Sequence, residues 1–554
     1  MKHIVTPEEM AELDGLAINE GKVPGIVLME NAAFGVSQVV FEILEELRDD
    51  SPLVLILAGI GNNGGDGFCV AKQLAMQGVK SQVYLIGKEE KLKGDALTNW
   101  QIIKKRNDIK IKIIDAKESP SLEERLTALE DDLQKSSIIV DALLGTGIKG
   151  EVREPILSVI KRINSEKDKT NKPVIGVDIP SGIMGDSGKI AGEAVRTDKT
   201  VTFALPKFGH FIYPGKEYTG ELNLASIGIS DEIIERYFYY GNRQVVKSIE
   251  KEDVSSFIPN RKGDDHKGDY GRILIIAGSR GMLGASYLTT EGALRSGGGL
   301  VSAAVPESEQ RSLQTKLTEA MTIPLPSEEG VLGENAIKKA SALLSDFDSV
   351  AVGPGIRDTS NTYQLVKRVL GNFGGPIVID ADGLNVLSRD RQLLEAILPQ
   401  RKVPAVLTPH LGEFERLTGK PKKEIMENPM AILSDYAIKW KAYIVLKGSP
   451  TYIATPDNEV YINITGNPGM ASGGSGDVLT GIIASWLAQK NNMLEGVLLS
   501  VYLHGLAGDF AAKDLGMEGL IAGDLCKYLP TRIKELKNIK ANERREKSCR
   551  PKIL

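Results

Sequence analysis

The chain has 554 residues, more than one hydrophobic core usually supports, so at least two domains are expected. With 42% hydrophobic and 25% charged residues and a formal net charge of −5, it is neither a disordered chain nor one drawn as a whole to nucleic acid or a membrane surface. Three scattered cysteines (Cys69, Cys526 and Cys549) exclude a disulfide framework and a zinc site, as in a reducing cytosol.

The N-terminus, MKHIVTPEEMAELD, lacks the apolar core of a signal peptide, and no apolar run reaches the length of a membrane span. A cytoplasmic protein is expected. Pro7–Gly21 reads as an opening helix, with Thr6 as N-cap and Glu9 three residues on. Short apolar runs follow at Pro52–Ala58, Gln82–Gly87, Ile138–Leu144, Pro173–Asp178 and Lys199–Ala204, separated by helical stretches. That alternation predicts a parallel sheet covered on both faces. It fades near residue 230, and the charged segment Ser230–Lys262 reads as the inter-domain connection, with its core over 231–244. A second series of buried strands is predicted at Arg272–Ala277, Ser349–Val352, Pro376–Asp380, Pro404–Thr408 and Ala442–Lys447. The chain therefore divides into α/β domains over 1–230 and 245–535, and the charged stretch 536–554 is expected as a tail.

Most of the predicted strands end in turn or polar residues. Gly59 to Gly67 (GIGNNGGDG) formally contains a dinucleotide fingerprint, but the next strand ends in Gly87-Lys88 and its acidic residue, Glu89, comes late, which argues against a standard Rossmann NAD site. Two Asn and an Asp in that loop suit ribose, amide or cation contacts. They also suit a plain tight turn. Asp141-Ala-Leu-Leu-Gly-Thr-Gly147 and Asp178-Ile-Pro-Ser-Gly182 end two further strands.

In the second half, Asn467–Gly481 (NPGMASGGSGDVLTG) carries Gly473, Gly474 and Gly476 before Asp477 and an apolar helix. Glycines opening a helix offer free N–H groups and the positive end of its dipole to a phosphate. A carboxylate there can take a proton from an attacking hydroxyl. The same residues also read as a Gly-rich turn with Asp477 as a cap. No Gly-Lys-Ser/Thr follows, so this is not a Walker A loop. Lys447-Gly448-Ser449-Pro450-Thr451 offers a cation, two hydroxyls and free N–H groups to an anion. Thr408-Pro409-His410, Gly353-Pro354-Gly355 and Asp380-Ala381-Asp382-Gly383 end three more strands. Ligands of parallel sheets sit beyond such strand ends.

The series GPG, DADGLN, TPHLGEF, KGSPT, GGSGD resembles the ribokinase-like superfamily, and more closely the ADP-dependent NAD(P)H-hydrate dehydratase domain. NNGGDG, DALLGTG and DIPSG together resemble the NAD(P)H-hydrate epimerase domain, also called the YjeF N-terminal domain. Both on one chain resemble the bifunctional bacterial repair enzymes. The resemblance implies a Rossmann-like three-layer α/β/α domain followed by a ribokinase-like α/β/α domain.

It also implies that one half interconverts the R and S hydrates of NADH and NADPH at C6. The other half phosphorylates the S hydrate from ADP or ATP, with Mg2+, and eliminates phosphate. By resemblance, Asp477 is the dehydratase base, Gly476 stabilises developing charge, Lys447, Gly448, Ser449, Pro450 and Thr451 hold the nucleotide, and Ala285, Gly355 and His410 contact the hydrate. His410 equally reads as a turn cap. In the epimerase half, Asn62, Asn63, Gly64, Gly65 and Asp66 form a substrate loop. Gly145, Thr146, Gly147, Ile148, Lys149, Gly150 and Glu151 cradle the pyrophosphate. Asn63, Asp141 and Ser181 hold K+. Asp178 is the first choice for proton transfer and Asp66 the second, although Asp178 also reads as a cap of the Pro180 turn. The implied partners are small molecules and a second copy of the chain, not nucleic acid or membrane. Three other readings remain open: a metabolite kinase without elimination, an N-terminal half that only binds, and a dehydrogenase resting on the glycine fingerprint.

Overall fold

The computed structural model describes residues 1–49, 51–115, 121–240, 243–489 and 492–549. The chain forms two compact units, Lys2–Arg243 and Gln244–Leu554, with Met1 assigned to the second.

In the first unit, Thr6 and Glu9 close the expected capping box on the helix Pro7–Asn19. The sheet has seven strands, beginning in spatial order at Ile109, Lys80, Leu53, Ile138, Val174, Lys199 and Glu221. All neighbours pair parallel. Leu55 and Leu57 face the core shared with the helices Leu122–Lys135 and Ile156–Thr170. The alternate residues Ile56 and Ala58 face Gly67, on the helix Asn62–Met76. The two-residue period of the strands thus produces three layers.

Strand order reverses between the strands Leu53–Ala58 and Ile138–Ala142, so the loops after them flank a topological switch point. The helix Gly25–Leu47 corrects one sequence expectation, because by length and apolarity alone it qualifies as a membrane span. Its apolar residues serve packing instead: Leu28, Ala32, Val36, Val39, Val40 and Ile43 are buried, and it packs on the helix Asn62–Met76 and the strand Glu221–Ala225.

In the second unit, the strands begin in spatial order at Val245, Glu459, Thr451, Tyr443, Ala405, Ile377, Ser349, Arg272, Leu300 and Met321. Pairing is parallel except where Thr451–Ala454 meets its two neighbours. Ile273, Ile275, Ala351, Val378 and Val406 pack into one core with the helices Ser475–Ala488 and Met493–Leu515. Ile379 turns the other way, toward Gly383 at the start of the helix Asp382–Ser388. The order reverses between Arg272–Ile276 and Ser349–Val352, giving a second switch point.

The expected linker over 231–244 is corrected by the structure. Asp231–Tyr240 is a helix that buries Ile233, Ile234, Tyr237 and Phe238, with Tyr237 bonded to Glu12 and Phe238 stacked on His3. Its charges hide a clear apolar stripe. Residues 241–242 lie outside the described residues. The expected tail over 536–554 is helical through Cys549, and Leu536 is buried. Residues 550–554 lie outside the described residues.

Candidate functional site

The switch point of the first unit opens into a cavity of about 660 Å3. Asn62, Asn63 and Asp66 line it from the start of one helix, Asp14 from another, and Asp178, Lys207 and Gly145 to Ile148 from strand ends and loops. The glycines beneath explain the local fold. A Cβ on Gly59 would lie 2.0 Å from the Leu143 carbonyl, and one on Gly64 would lie 1.9 Å from the Gly59 carbonyl. Gly64 and Gly65 are buried, closely packed positions behind the lining residues Asn62, Asn63 and Asp66. Lys149, Gly150 and Glu151 are exposed beyond Ile148 and are not part of the lining.

Asp178 sits in left-handed backbone at φ 62°, a strained conformation for a non-glycine residue. Its Oδ1 accepts from Lys207 Nζ at 2.5 Å and from Thr202 Oγ1 at 3.0 Å. Lys207 is 1% exposed and also donates to the Phe203 carbonyl. His210 Nε2 lies 3.0 Å from the Asp178 carbonyl, and burial pushes its imidazole down to about 4, so it stays neutral. Three carboxylates thus share one ammonium. Burial raises Asp14 to about 6, with Lys207 opposing and Asp178 adding to the shift. Burial, then Asp178 and Asp14, hold Asp66 well above the usual carboxylate range. Asp14 and Lys207 were missed in the sequence. Each stands alone, outside any glycine-rich strand end, and only the tertiary fold brings them in.

Asp141, Asn63 and Ser181 form a second cluster behind the same loops. Ser181 Oγ donates to Asp141 Oδ1 at 2.6 Å, and its N–H donates to Asp141 Oδ2 at 2.8 Å. Asn63 Nδ2 donates to the Leu144 carbonyl at 3.1 Å, and Ser181 Oγ accepts from the Leu144 N–H at 2.9 Å. Asp141 is fully buried, and burial raises it to about 6 against the pull of its Ser181 bonds. The donor atoms are all hard oxygens, a set that fits an alkali cation.

Beyond the carboxyl ends of the strands Ile377–Ile379 and Tyr443–Leu446 in the second unit, Lys447 Nζ lies 2.5 Å from Oδ1 of the buried Asp380, whose Oδ2 accepts from Thr480 at 2.8 Å. Burial works against the Lys447 charge, but Asp380 and Glu413 more than offset it and raise the ammonium above its usual range. A Cβ on Gly476 would lie 3.2 Å from Lys447 Nζ, so the glycine lets the helix Ser475–Ala488 start against the lysine. Asp477 is in the first turn of that helix. Burial and then Asp380 raise it to about 7, with Lys447 opposing. Gly448, Ser449 and Pro450 form the turn between the antiparallel strands Tyr443–Leu446 and Thr451–Ala454.

Gly355, at φ 67°, lies against Ala285: a Cβ there would be 3.1 Å from the alanine Cβ. His410 caps the helix Leu411–Thr418, its Nδ1 accepting from the N–H groups of Gly412 and Glu413, while its side chain stays half exposed. The capping reading of His410 is thus seen directly, and its Nε2 lies 3.5 Å from Glu413 Oε1. His504, half-buried and pushed down to about 4 by desolvation, holds the start of the Asp477 helix through the Ser475 carbonyl. Among the described residues, no group of three or more His, Cys, Asp or Glu is arranged to hold a metal ion.

Two doubly wound α/β units on one chain, each with an aspartate beside a lysine beyond its strand ends, define a two-site enzyme of the nucleotide-handling α/β class. Residues 25–209 match the family described as YjeF-related protein N-terminus, and residues 273–531 match the NAD(P)H-hydrate dehydratase family. The chain is 40% identical over 537 residues to the bifunctional NAD(P)H-hydrate repair enzyme of Moorella thermoacetica, covering 96% of this chain and 97% of that one. It is 36% identical to the corresponding enzyme of Thermofilum pendens, covering 96% of each. The ADP/ATP-dependent NAD(P)H-hydrate dehydratase from Bacillus subtilis, co-crystallised with ATP/Mg2+, shares 33% identity with a TM-score of 0.47, covering 52% of this chain and 99% of that one. The chain belongs to the family of bifunctional NAD(P)H-hydrate repair enzymes, with an epimerase half followed by a dehydratase half.

Proposed function

We propose that the two halves act in series on the hydrates of NADH and NADPH, the first interconverting the C6 epimers and the second dehydrating the S form. The observation that carries this reading is the aspartate–lysine arrangement beyond the strand ends of both sheets: Asp178 with Lys207, and Asp477 beside Lys447.

In the dehydratase half, Asp477 takes the proton of the C6 hydroxyl as its oxygen attacks the terminal phosphorus of the nucleotide. The bond from that phosphorus to the rest of the nucleotide breaks. Elimination then passes a proton from C5 to water as the C6–O bond breaks, so phosphate leaves and the ring double bond returns. Lys447 and the 448–451 turn hold the phosphates, Gly476 lets the helix N-terminus approach them, and His410, Gly355 and Ala285 receive the hydrate. ADP is the donor on this reading. Mg2+ would neutralise charge on the phosphates, where such ions take one or two carboxylates and keep several waters. Asp380, Asp382 and Asp477 are the carboxylates at hand.

In the epimerase half, Asn62 and the Gly145–Ile148 loop hold the nucleotide, and Asp178 moves the proton at C6. K+ belongs at Asn63, Asp141 and Ser181, where it would offset the buried Asp141 charge. Thermal stabilisation by KCl over choline chloride, lost in Asp141→Asn, is the expected result. Assembly with a second copy and a cytoplasmic setting complete the reading.

The deciding experiment incubates mixed hydrate epimers with the protein and ADP. Full recovery of the dihydropyridine absorbance is expected. Recovery of the S fraction alone would remove the epimerase assignment, and phosphorylation without recovery would favour a metabolite kinase.

A further inference from the structure

The epimerase cavity holds a titratable group that the reading above leaves unused. Asp14 projects from the helix Pro7–Asn19, which precedes the sheet and carries none of the glycine-rich loops. Its Oδ1 is buried without a hydrogen-bond partner. A buried carboxyl oxygen left unpaired costs roughly 1–3 kcal/mol, and is expected where a ligand completes it. The facing groups are Asp66 from the helix Asn62–Met76, Asp178 and Lys207 from the strand ends, and Asp95 elsewhere in the lining. Lys207 is already bonded to Asp178 Oδ1, Thr202 and Phe203. Asp14 is the acid in this cavity whose oxygen is buried and unclaimed.

Inverting C6 requires one group to release its substituent and another to receive it from the opposite face. Asp178 supplies one from the sheet edge. We propose that Asp14 is a catalytic residue of the epimerase half, the acid that protonates the C6 hydroxyl of the hydrate, with Asp178 as the base. This rests on the epimerase reading of the cavity. The Asp14 carboxyl gives its proton to the hydroxyl, the C6–O bond breaks with loss of water, and the N1 lone pair forms a C6=N1 iminium. Water then adds from the other face and gives a proton to the Asp178 carboxylate. That proton returns to Asp14 through solvent, which closes the cycle. The acidity suits the role, since burial brings Asp14 to about 6.

Epimer exchange, followed by chromatography, tests the assignment on the full chain. Asp14→Asn is expected to slow exchange about 10²-fold or more with little change in KM, and to remove the fall in rate as pH rises through about 6. Asp14→Glu should recover part of the rate. In H218O the wild type should label the C6 oxygen as fast as the epimers exchange. Unchanged exchange in Asp14→Asn, or exchange without label, would overturn the proposal. So would loss of hydrate binding in both variants, because Asp14 would then be structural. Wild-type protein without any epimer exchange would instead remove the reading on which the proposal rests.

Discussion

At the scale of single residues, the dehydratase site makes a pH-dependent statement. Asp477 is raised to about 7 because it is largely desolvated in the first turn of its helix and lies near Asp380, with Lys447 offsetting only part of the cost. A base must be ionised, so the dehydration rate at saturating ADP should rise with pH and level off above about 7. Asp477→Asn should cut that rate by about 10²–10⁴-fold while epimer exchange in the other half continues. A flat profile in the wild type, or a variant that dehydrates at full speed, would dismiss Asp477 as the base. The aspartates at strand ends could be found in the sequence because a Gly or Pro next to an acid after an apolar run is a local signal. Lys207 and Asp14 carried no such signal. A lysine in ALPKF and an aspartate in AELDG look like any other polar residue of a turn or helix, and their burial comes from partners far away in sequence.

At the scale of elements, strands made of continuous Val, Ile and Leu runs were legible, because such runs admit few other readings. Leu300–Pro306 escaped although it is buried on both faces, because Ser302, Ala303 and Ala304 interrupt its apolar run with small residues. Ile109–Ile114 escaped because it is an edge strand that alternates apolar and charged residues. Glu221–Ala225, at the opposite edge, is short and only half-buried. The hairpin strands Thr451–Ala454 and Glu459–Asn463 follow the last predicted strand too closely to stand out as separate runs. The helix Asp231–Tyr240 was lost in its own charge.

What the sequence hid entirely is how closely the helices Leu283–Arg295 and Ser475–Ala488 approach. A Cβ on Gly481 would sit 1.9 Å from the Thr289 carbonyl, and one on Gly292 would sit 2.6 Å from the Val478 carbonyl. Ala would gain about 1 kcal/mol of helix propensity over Gly at position 481. Overpacking against backbone costs about 1–3 kcal/mol and should win. Gly481→Ala is therefore expected to lower the melting temperature of the second unit. Asp477 lies one turn earlier on the same helix, and a shift of about 1 Å at a reacting group can cost 10²-fold. Dehydration should fall further than stability does. A variant with raised stability and full activity would show that the helices can move apart freely.

At the scale of the whole molecule, the two sheets have separate cores and separate switch points, and each unit contains every residue assigned to its own reaction. Nothing in either acid–lysine arrangement borrows a group from the other unit. Two consequences follow from that independence. Asp178→Asn should stop repair of the R hydrate and leave dehydration of the S hydrate at its normal rate. Asp477→Asn should do the reverse, exchanging epimers without consuming either. Mixed in equal amounts, the two inactive variants should restore repair of both epimers, because the S hydrate released by one is free to bind the other. The measurement is the total dihydropyridine recovered from an R-enriched sample with ADP, compared across each variant, their mixture and the wild type. If the mixture recovers no more than the variants alone, the hydrate passes between sites only within one chain. If either substitution silences both reactions, the two sites are energetically coupled, and treating each unit as a self-contained enzyme would be wrong.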